Sequence, residues 1–274
     1  MELKIGVVQM DCVLKDKEAN MQKAEEYLNQ TGANVDVLCL PELFTTGYHL
    51  DLIKEDFYTL AETVPGPTVN RLAEKAKKYN TAIIANIVEK DSLLEAVLYD
   101  TTFVIDEEGR YLGKYRKVHL YPTEHQYFRS GSEFPVFEIR GVKIGIATCY
   151  DHAFEEMFRI MALKGAEVIF IPSAVPKNYE YLLNLRTRAR AQDNQIFTVA
   201  INRIGTEDKV TYCGLSKIVN PRGEVVCEAG DEEGVLIGTI DLSLILKERK
   251  QEPILRSRRP ELYGALAENL ESQN

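Results

Sequence analysis

The run Val142-Lys-Ile-Gly-Ile-Ala-Thr-Cys149-Tyr-Asp151 decides the architecture, because both an extended segment and its abrupt end are written into it. Ile144 and Ile146 fall on one face of an extended chain, and Gly145 and Ala147 fall on the other. The strand stops at Cys149, just before a stretch of helical period that starts at Phe154. Such a turn is a nucleophile elbow. It lets a side chain project from the sheet edge while backbone N–H groups and a helix N-terminus lower the thiol pKa and receive an oxyanion. A small buried core thiol is the ordinary fate of a cysteine, and Cys12, Cys39, Cys213 and Cys227, which lack this context, are read that way.

Outward from this strand, short apolar runs rich in β-branched residues recur at 5–9, 35–40, 81–88, 97–105, 168–171, 196–201, 215–219 and 235–240, each bounded by turn residues. Stretches of helical period lie at 18–29, 68–79, 154–164, 181–195 and 242–250. Only some strand pairs have a helix between them, so a purely parallel doubly wound sheet is disfavoured. The pattern predicts an α+β fold, a four-layer αββα sandwich with two mixed β-sheets. No linker, repeat or charge block marks a boundary, so residues 1–274 are read as one domain with 251–274 as a C-terminal arm. The arm carries Arg256, Arg258, Arg259 and Pro260, and its polar end at 271–274 is expected to be disordered.

Composition narrows the function classes. Over 274 residues, 45% are hydrophobic and 27% charged, near globular averages, and 33 basic against 42 acidic residues leave a net charge of −9. A chain-wide basic footprint for nucleic acid or anionic lipid is therefore absent. No apolar run approaches the roughly 18 residues that cross a bilayer, and the N-terminus lacks a basic-then-apolar export signal, so a cytoplasmic protein is expected. Five scattered cysteines without a Cys-x-x-Cys pair argue against a disulfide framework or zinc knuckle, and His49, His119, His125 and His152 show no ligand spacing. No metal and no cofactor are expected.

Two further segments carry chemistry. Pro41-Glu42-Leu43-Phe44 places a carboxylate at the carboxyl end of a strand, where apolar neighbours would raise its pKa toward the range of a general base; an ion-pair or turn role is the competing reading. In Gly113-Lys-Tyr-Arg-Lys117-Val-His119-Leu120, alternation puts Tyr115, Lys117 and His119 on one face, an unusual setting for a solvated lysine. A thiolate, a carboxylate base and a lysine cation form a coherent set for acyl transfer. Spacing alone leaves open whether they meet.

These three segments, in this order, closely resemble the carbon–nitrogen hydrolase family, also called the nitrilase superfamily. Its Glu-Lys-Cys triad matches Glu42, Lys117 and Cys149, and Glu124 in Glu124-His-Gln-Tyr-Phe128 matches its second glutamate, which orients the lysine or substrate. The likeness spans nearly the whole chain, through Val7-Gln9, Gly47-Tyr48, Gly131, Pro172-Ser173-Ala174, Arg188-Ala-Arg-Ala191, Asn202-Arg203 and Arg259-Pro-Glu-Leu-Tyr263. It implies the αββα sandwich, a homodimer or larger homo-oligomer paired near the catalytic cysteine, and hydrolysis of a small linear amide through a thioester, with release of ammonia.

Departures from the family pattern bear on the substrate. Members that accept carboxylate-bearing substrates read Cys-Tyr-Asp-x-Arg, whereas this chain has Ala153 in place of the arginine, so a carboxylate clamp is missing unless another residue such as Arg186 substitutes. Tyr150-Asp151-His152 does not match the nitrile-cleaving branch, which argues against nitrile hydrolysis. Pocket walls are expected at Tyr48, Tyr150, His152, Ala174 and Val175. The alternative within the class is an N-carbamoyl amine (ureido) hydrolase; a catalytically silent binding subunit and a metal-dependent phosphodiesterase are the readings outside it.

Overall fold

The computed structural model describes residues 1–94 and 96–268. The chain runs β1 (Glu2–Gln9), α1 (Lys17–Thr31), β2 (Val37–Cys39), α2 (Leu50–Ile53), α3 (Asp56–Leu60), α4 (Pro67–Tyr79), β3 (Ala82–Lys90), β4 (Leu98–Ile105) and β5 (Tyr111–Arg116). It continues through β6 (Val136–Ile139), β7 (Val142–Ile146), α5 (Glu155–Leu163), β8 (Val168–Ser173), α6 (Glu180–Asn194), β9 (Phe197–Asn202), β10 (Thr206–Glu207), β11 (Val210–Thr211), β12 (Lys217–Val219), β13 (Val225–Glu228), β14 (Gly234–Asp241) and α7 (Ser243–Gln251).

Two six-stranded sheets result, ordered β14-β1-β2-β3-β4-β5 and β13-β12-β9-β8-β7-β6. Each is mixed. β1, β2 and β3 pair in parallel, as do β7, β8 and β9, and the remaining pairings within both sheets are antiparallel.

Side-chain alternation divides the core. Leu3, Ile5 and Val7 of β1 join a cluster with Ile144, Ile146, Val168 and Phe170 of the second sheet, whereas Val8 and Met10 pack with Met21, Ala24 and Leu28 of α1 and Val69, Leu72 and Ala76 of α4. β2 repeats the split, Val37 and Cys39 facing the second sheet and Leu38 and Leu40 the helices. Met157, Phe158 and Met161 of α5 and Leu183 of α6 cover the second sheet. The order is helix, sheet, sheet, helix, as the strand pattern predicts, and each buried Leu, Ile or Val contributes about 1.5–3 kcal/mol.

The sequence reading differs from the structure at the edges. β5, β6 and β13 lie at or next to sheet margins and are half-buried or exposed along most of their length, so they lack the apolar runs that mark central strands. The helices α2 and α3 are too short to show a period. The helix after Cys149 starts within a residue of the expected Phe154, and a 3₁₀ turn over Cys149–Ala153 fills the stretch before α5.

Beyond α7 the arm continues as turns with mostly exposed side chains, tied at its start by Gln195 Nε2 donating to the Glu252 carbonyl. The end at 271–274 lies outside the described residues. No helix among the described residues is long and apolar enough to cross a membrane.

Gly131 holds the chain after β5 against its neighbour. Its N–H donates to the Lys117 carbonyl at 2.8 Å, and a Cβ there would stand 2.1 Å from the Arg116 carbonyl oxygen. A backbone carbonyl cannot rotate away as a side chain can. Gly131→Ala is therefore expected to cost about 1–3 kcal/mol by forcing the Arg116–Lys117 backbone aside. A melting temperature lowered by several degrees in calorimetry, with reduced turnover, is the expected result.

Candidate active site

Glu42 leaves the end of β2 on a turn whose next residue, Leu43, adopts a left-handed backbone with φ +47°. That conformation is uncommon for a leucine and needs support. Support comes from Asn86 on β3, whose Oδ1 accepts the Leu43 N–H at 2.7 Å. Lys117 follows β5, and its backbone N–H donates to the Asp100 carbonyl of β4 at 2.8 Å. Glu124 opens a 3₁₀ turn and accepts the Tyr121 N–H at 2.7 Å and the Tyr48 hydroxyl at 2.5 Å.

The three side chains meet. Lys117 Nζ lies 2.7 Å from Glu42 Oε1, 2.7 Å from Glu124 Oε1 and 3.5 Å from Asp100 Oδ2, and all four residues are fully buried. Burial opposes the lysine's charge, but Glu124, Glu42 and Asp100 outweigh it and hold the ammonium protonated well beyond the ordinary lysine range. Desolvation, with Asp100 and Glu124 nearby, raises Glu42 well above the usual carboxylate pKa despite Lys117. The expectation for Glu42 is met in direction. Glu42, Asp100 and Glu124 have the donor types of a cation site, but the ammonium already stands among them.

Cys149 occupies the elbow with φ +46°. Asp151 fixes this turn, accepting the Thr148 N–H at 2.8 Å and the Tyr115 hydroxyl at 2.6 Å on Oδ2, and the His119 N–H at 2.9 Å on Oδ1. The His119 ring also bonds Oδ1 and stacks on Phe154 at 3.8 Å, a satisfied structural histidine. Tyr115 and His119 thus converge on Asp151 while Lys117 reaches the carboxylates. The predicted common face does not hold, because β5 ends at Arg116 and the alternation stops there.

The elbow does not lower the thiol pKa as expected. Burial and the charge of Glu42 push it well above the ordinary value, against the pull of Lys117 and of a hydrogen bond from the Ala174 backbone. A thiol held protonated needs a base.

Cys149 opens onto a cavity of about 280 Å³, also lined by Tyr48, Tyr150, His152, Ala174 and Val175, so the structure gathers every predicted wall residue around one space. Glu42, Lys117 and Glu124 lie outside that lining. The Ala174–Val175 turn is fastened by Asn202, whose Oδ1 accepts the Val175 N–H at 2.8 Å and whose Nδ2 donates to the Val175 carbonyl at 3.2 Å. Arg186 on α6 also lines the cavity and donates from Nη1 to His152 Nε2 at 3.1 Å. Burial, with Arg186 and Lys117 nearby, pushes the His152 pKa down to about 3, so the ring is neutral and free to accept.

Sequence reading missed Asp100 and Asn86, although each is a polar residue inside an otherwise buried strand run, a signal that a partner must exist. It also missed Glu207, which receives the Tyr48 and His49 N–H groups and is itself held by Arg203 at 2.6 Å and the Tyr212 hydroxyl at 2.7 Å. Arg203 and Tyr212 are near Glu207 in sequence, but the Tyr48 and His49 backbone that it holds lies more than 150 residues away.

Two mixed sheets between helices, with a buried Glu-Lys-Glu cluster behind a cysteine elbow, define a hydrolase of carbon–nitrogen bonds. The family model described as carbon-nitrogen hydrolase matches residues 4–250, and the chain belongs to that family, whose members hydrolyse amides. It is 35% identical to the 2-oxoglutaramate amidase of Bacillus subtilis, over 96% of this chain and 100% of that one. It is also 35% identical to the N-carbamoylputrescine amidase of Solanum lycopersicum, over 96% of this chain and 94% of that one. Among solved structures, Nit3 of Saccharomyces cerevisiae superposes with a TM-score of 0.85 at 28% identity, covering 94% of this chain and 97% of its own.

Removing the ammonium would leave three buried carboxylates without their counter-charge, a change that costs about 3–5 kcal/mol when one partner of a buried pair is lost. In Lys117→Met the folded-state pKa values of Glu42 and Asp100, already raised, rise further above their unfolded values, so the native state binds more protons and stability is recovered as pH falls. Thermal melts should show a variant much less stable than wild type at pH 8 and closer to it at pH 6; a pH-independent difference would contradict the cluster's charge balance.

Proposed function

We propose that the protein hydrolyses the C–N bond of a small linear non-peptide amide through a thioester on Cys149, releasing ammonia and a carboxylic acid. The observation that carries this reading is the Lys117 ammonium, 2.7 Å from both Glu42 and Glu124, set behind a cysteine that opens onto a largely apolar cavity. In the first half-reaction ionised Glu42 takes the Cys149 proton as sulfur bonds to the amide carbon. Lys117 has two short bonds to carboxylates and one donor to spare, which, with the Tyr150 N–H, meets the developing oxyanion. The tetrahedral adduct collapses as Glu42 gives its proton to nitrogen, the C–N bond breaks and ammonia leaves. Water then attacks the thioester with its proton going to Glu42, and the thiol departs as that proton returns to sulfur.

Glu124 touches no reacting atom in this scheme; it anchors Lys117 and, through Tyr48, the cavity wall. Arg186 supplies the cationic donor absent at Ala153, and among the described residues no carboxylate lies within ion-pair distance of it. A substrate with an anionic end would meet it there. The same steps on a ureido group would release carbon dioxide as well, and the choice between acyl groups rests on the cavity walls.

We further propose that the protein works as a homodimer or larger assembly. Ile160 and Leu163 of α5, Leu185 of α6, and Leu262 and Leu266 of the arm are exposed. Burying them needs a second surface. Sedimentation velocity should give a dimer or larger species at micromolar concentration, and a monomer would overturn this.

Ammonia release is the decisive assay. Wild-type protein should release it from simple carboxamides or ω-amides, Cys149→Ala should abolish turnover, and Glu42→Gln should lower it about 10²–10⁴-fold. Substantial activity in either variant would refute the assigned roles, release only from carbamoyl amines would install the ureido reading, and nitrile cleavage would contradict the proposed substrate class.

A further inference from the structure

Glu42, Asp100 and Glu124 each bring an oxygen within 4.8 Å of the others, all three are buried, and a single ammonium serves them. With every carboxyl ionised the cluster would hold excess negative charge away from water, which costs several kcal/mol per uncompensated ion. Binding a proton is the less costly response.

Hydrogen bonding indicates where that proton resides. Glu124 accepts on both oxygens, from Lys117 and Tyr48 on Oε1 and from the Tyr121 backbone on Oε2. Asp100 Oδ1 accepts from Asn86 Nδ2 at 2.6 Å, and the same amide nitrogen donates to Thr102 at 2.9 Å. Glu42 accepts only on Oε1, from Lys117. Glu42 Oε2 and Asp100 Oδ2 are buried and accept no hydrogen bond, Lys117 Nζ standing 3.5 Å from Asp100 Oδ2 as an ion-pair partner only. A carboxylate oxygen cannot donate to another, so two such atoms without a hydrogen bond in one cluster call for a hydrogen on one of them.

We infer that Glu42 and Asp100 share one proton between these two oxygens in the resting site, and that Asp100 is a positioning residue whose negative charge sets the pH at which Glu42 is free to act as base. The other groups facing Glu42 are Lys117, Glu124, Tyr48, Tyr212 and Cys149. Burial keeps the last three protonated and neutral at ordinary pH, so they do not titrate with it. Lys117 favours an ionised Glu42, and Asp100 and Glu124 oppose it. Both Glu42 and Asp100 are raised by burial, and the bond between them raises Glu42 while lowering Asp100, which puts the proton on Glu42 with Asp100 as acceptor. When the pair ionises, that proton leaves to solvent.

The inference rests on the reading of Glu42 as the base, and its test is built to fail separately. Asp100→Asn keeps the side-chain shape and an oxygen to accept from Asn86, but removes the charge. The acid limb of its kcat/KM profile should move to lower pH: where wild type retains a tenth of its maximum, the variant should retain about a third or more. A profile of unchanged shape, lowered equally at every pH, would show that Asp100 only supports the fold and would overturn the inference. Infrared spectroscopy supplies a readout without substrate. Wild-type protein at neutral pH should show a protonated carboxyl band that is lost in Glu42→Gln and in Asp100→Asn. Absence of that band in wild type overturns the shared proton, whatever reaction the protein catalyses and whether or not Asp100→Asn folds. A band present in a protein that cleaves no amide would instead reject the reading of function and leave the proton in place.

Discussion

A single ammonium buried among three carboxylates organises this molecule. Lys117 follows an edge strand, Glu42 leaves a central one, Asp100 sits within the strand between that edge and β3, and Glu124 belongs to a loop turn, so the charge cluster ties four separate pieces of chain to one point. Buried ions of this kind stabilise little by their own attraction, because desolvation offsets it. What they impose is geometry: any register in which Lys117 misses its partners strands like charges in the core. The backbone bonds around the cluster agree with that constraint, from Lys117 N–H on the Asp100 carbonyl to Leu43 N–H on Asn86.

Around that point, two further carboxylates act as fasteners. Asp151 receives four donors or ring contacts and holds Cys149 in a left-handed backbone, which places a thiol at the cavity rather than inside the sheet. Glu207 gathers the backbone of Tyr48 and His49, with Arg203 neutralising it and Tyr212 adding a hydroxyl. Tyr48 then bridges the wall and the cluster through Glu124. Reaction geometry and substrate wall are therefore parts of one hydrogen-bonded frame, which is how a site reaches the positional tolerance that acyl transfer needs.

The central strands and the helices over them were legible, because both obey periods that burial enforces: Leu3, Ile5 and Val7 against Val8 and Met10 is the two-residue rule in plain form. The edges were not, since β5, β6 and β13 carry too little apolar surface to stand out. Glu42 and Cys149 were legible as residues placed where strands end. Their meeting with Lys117 was legible only through likeness to a family, as gaps of tens of residues carry no distance. Asp100 and Asn86 escaped because they sit not at strand ends but inside strands, where a polar residue in a buried run is itself the clue. The expected acidic thiol failed for a physical reason: the 3₁₀ turn after Cys149 offers less than a full helix terminus, while burial and Glu42 both favour the neutral sulfur.

That failure has a mechanistic consequence. A thiol already ionised would need no neighbouring base for attack, and a carboxylate with an ordinary pKa would be a poor base toward a neutral thiol. Here burial moves both groups upward together, so in the proposed reaction the proton lost by sulfur would arrive on a carboxyl that holds it well enough to carry it to nitrogen and then accept one from water. Matching of this kind depends on the whole cluster, since Lys117 lowers Glu42 and the thiol alike, while Asp100 and Glu124 raise Glu42. Glu42 and Lys117 lie outside the cavity lining, and Tyr48 is the wall residue tied to their cluster through Glu124. At the wall, the neutral His152 ring accepts from the Arg186 guanidinium and keeps that cation in place.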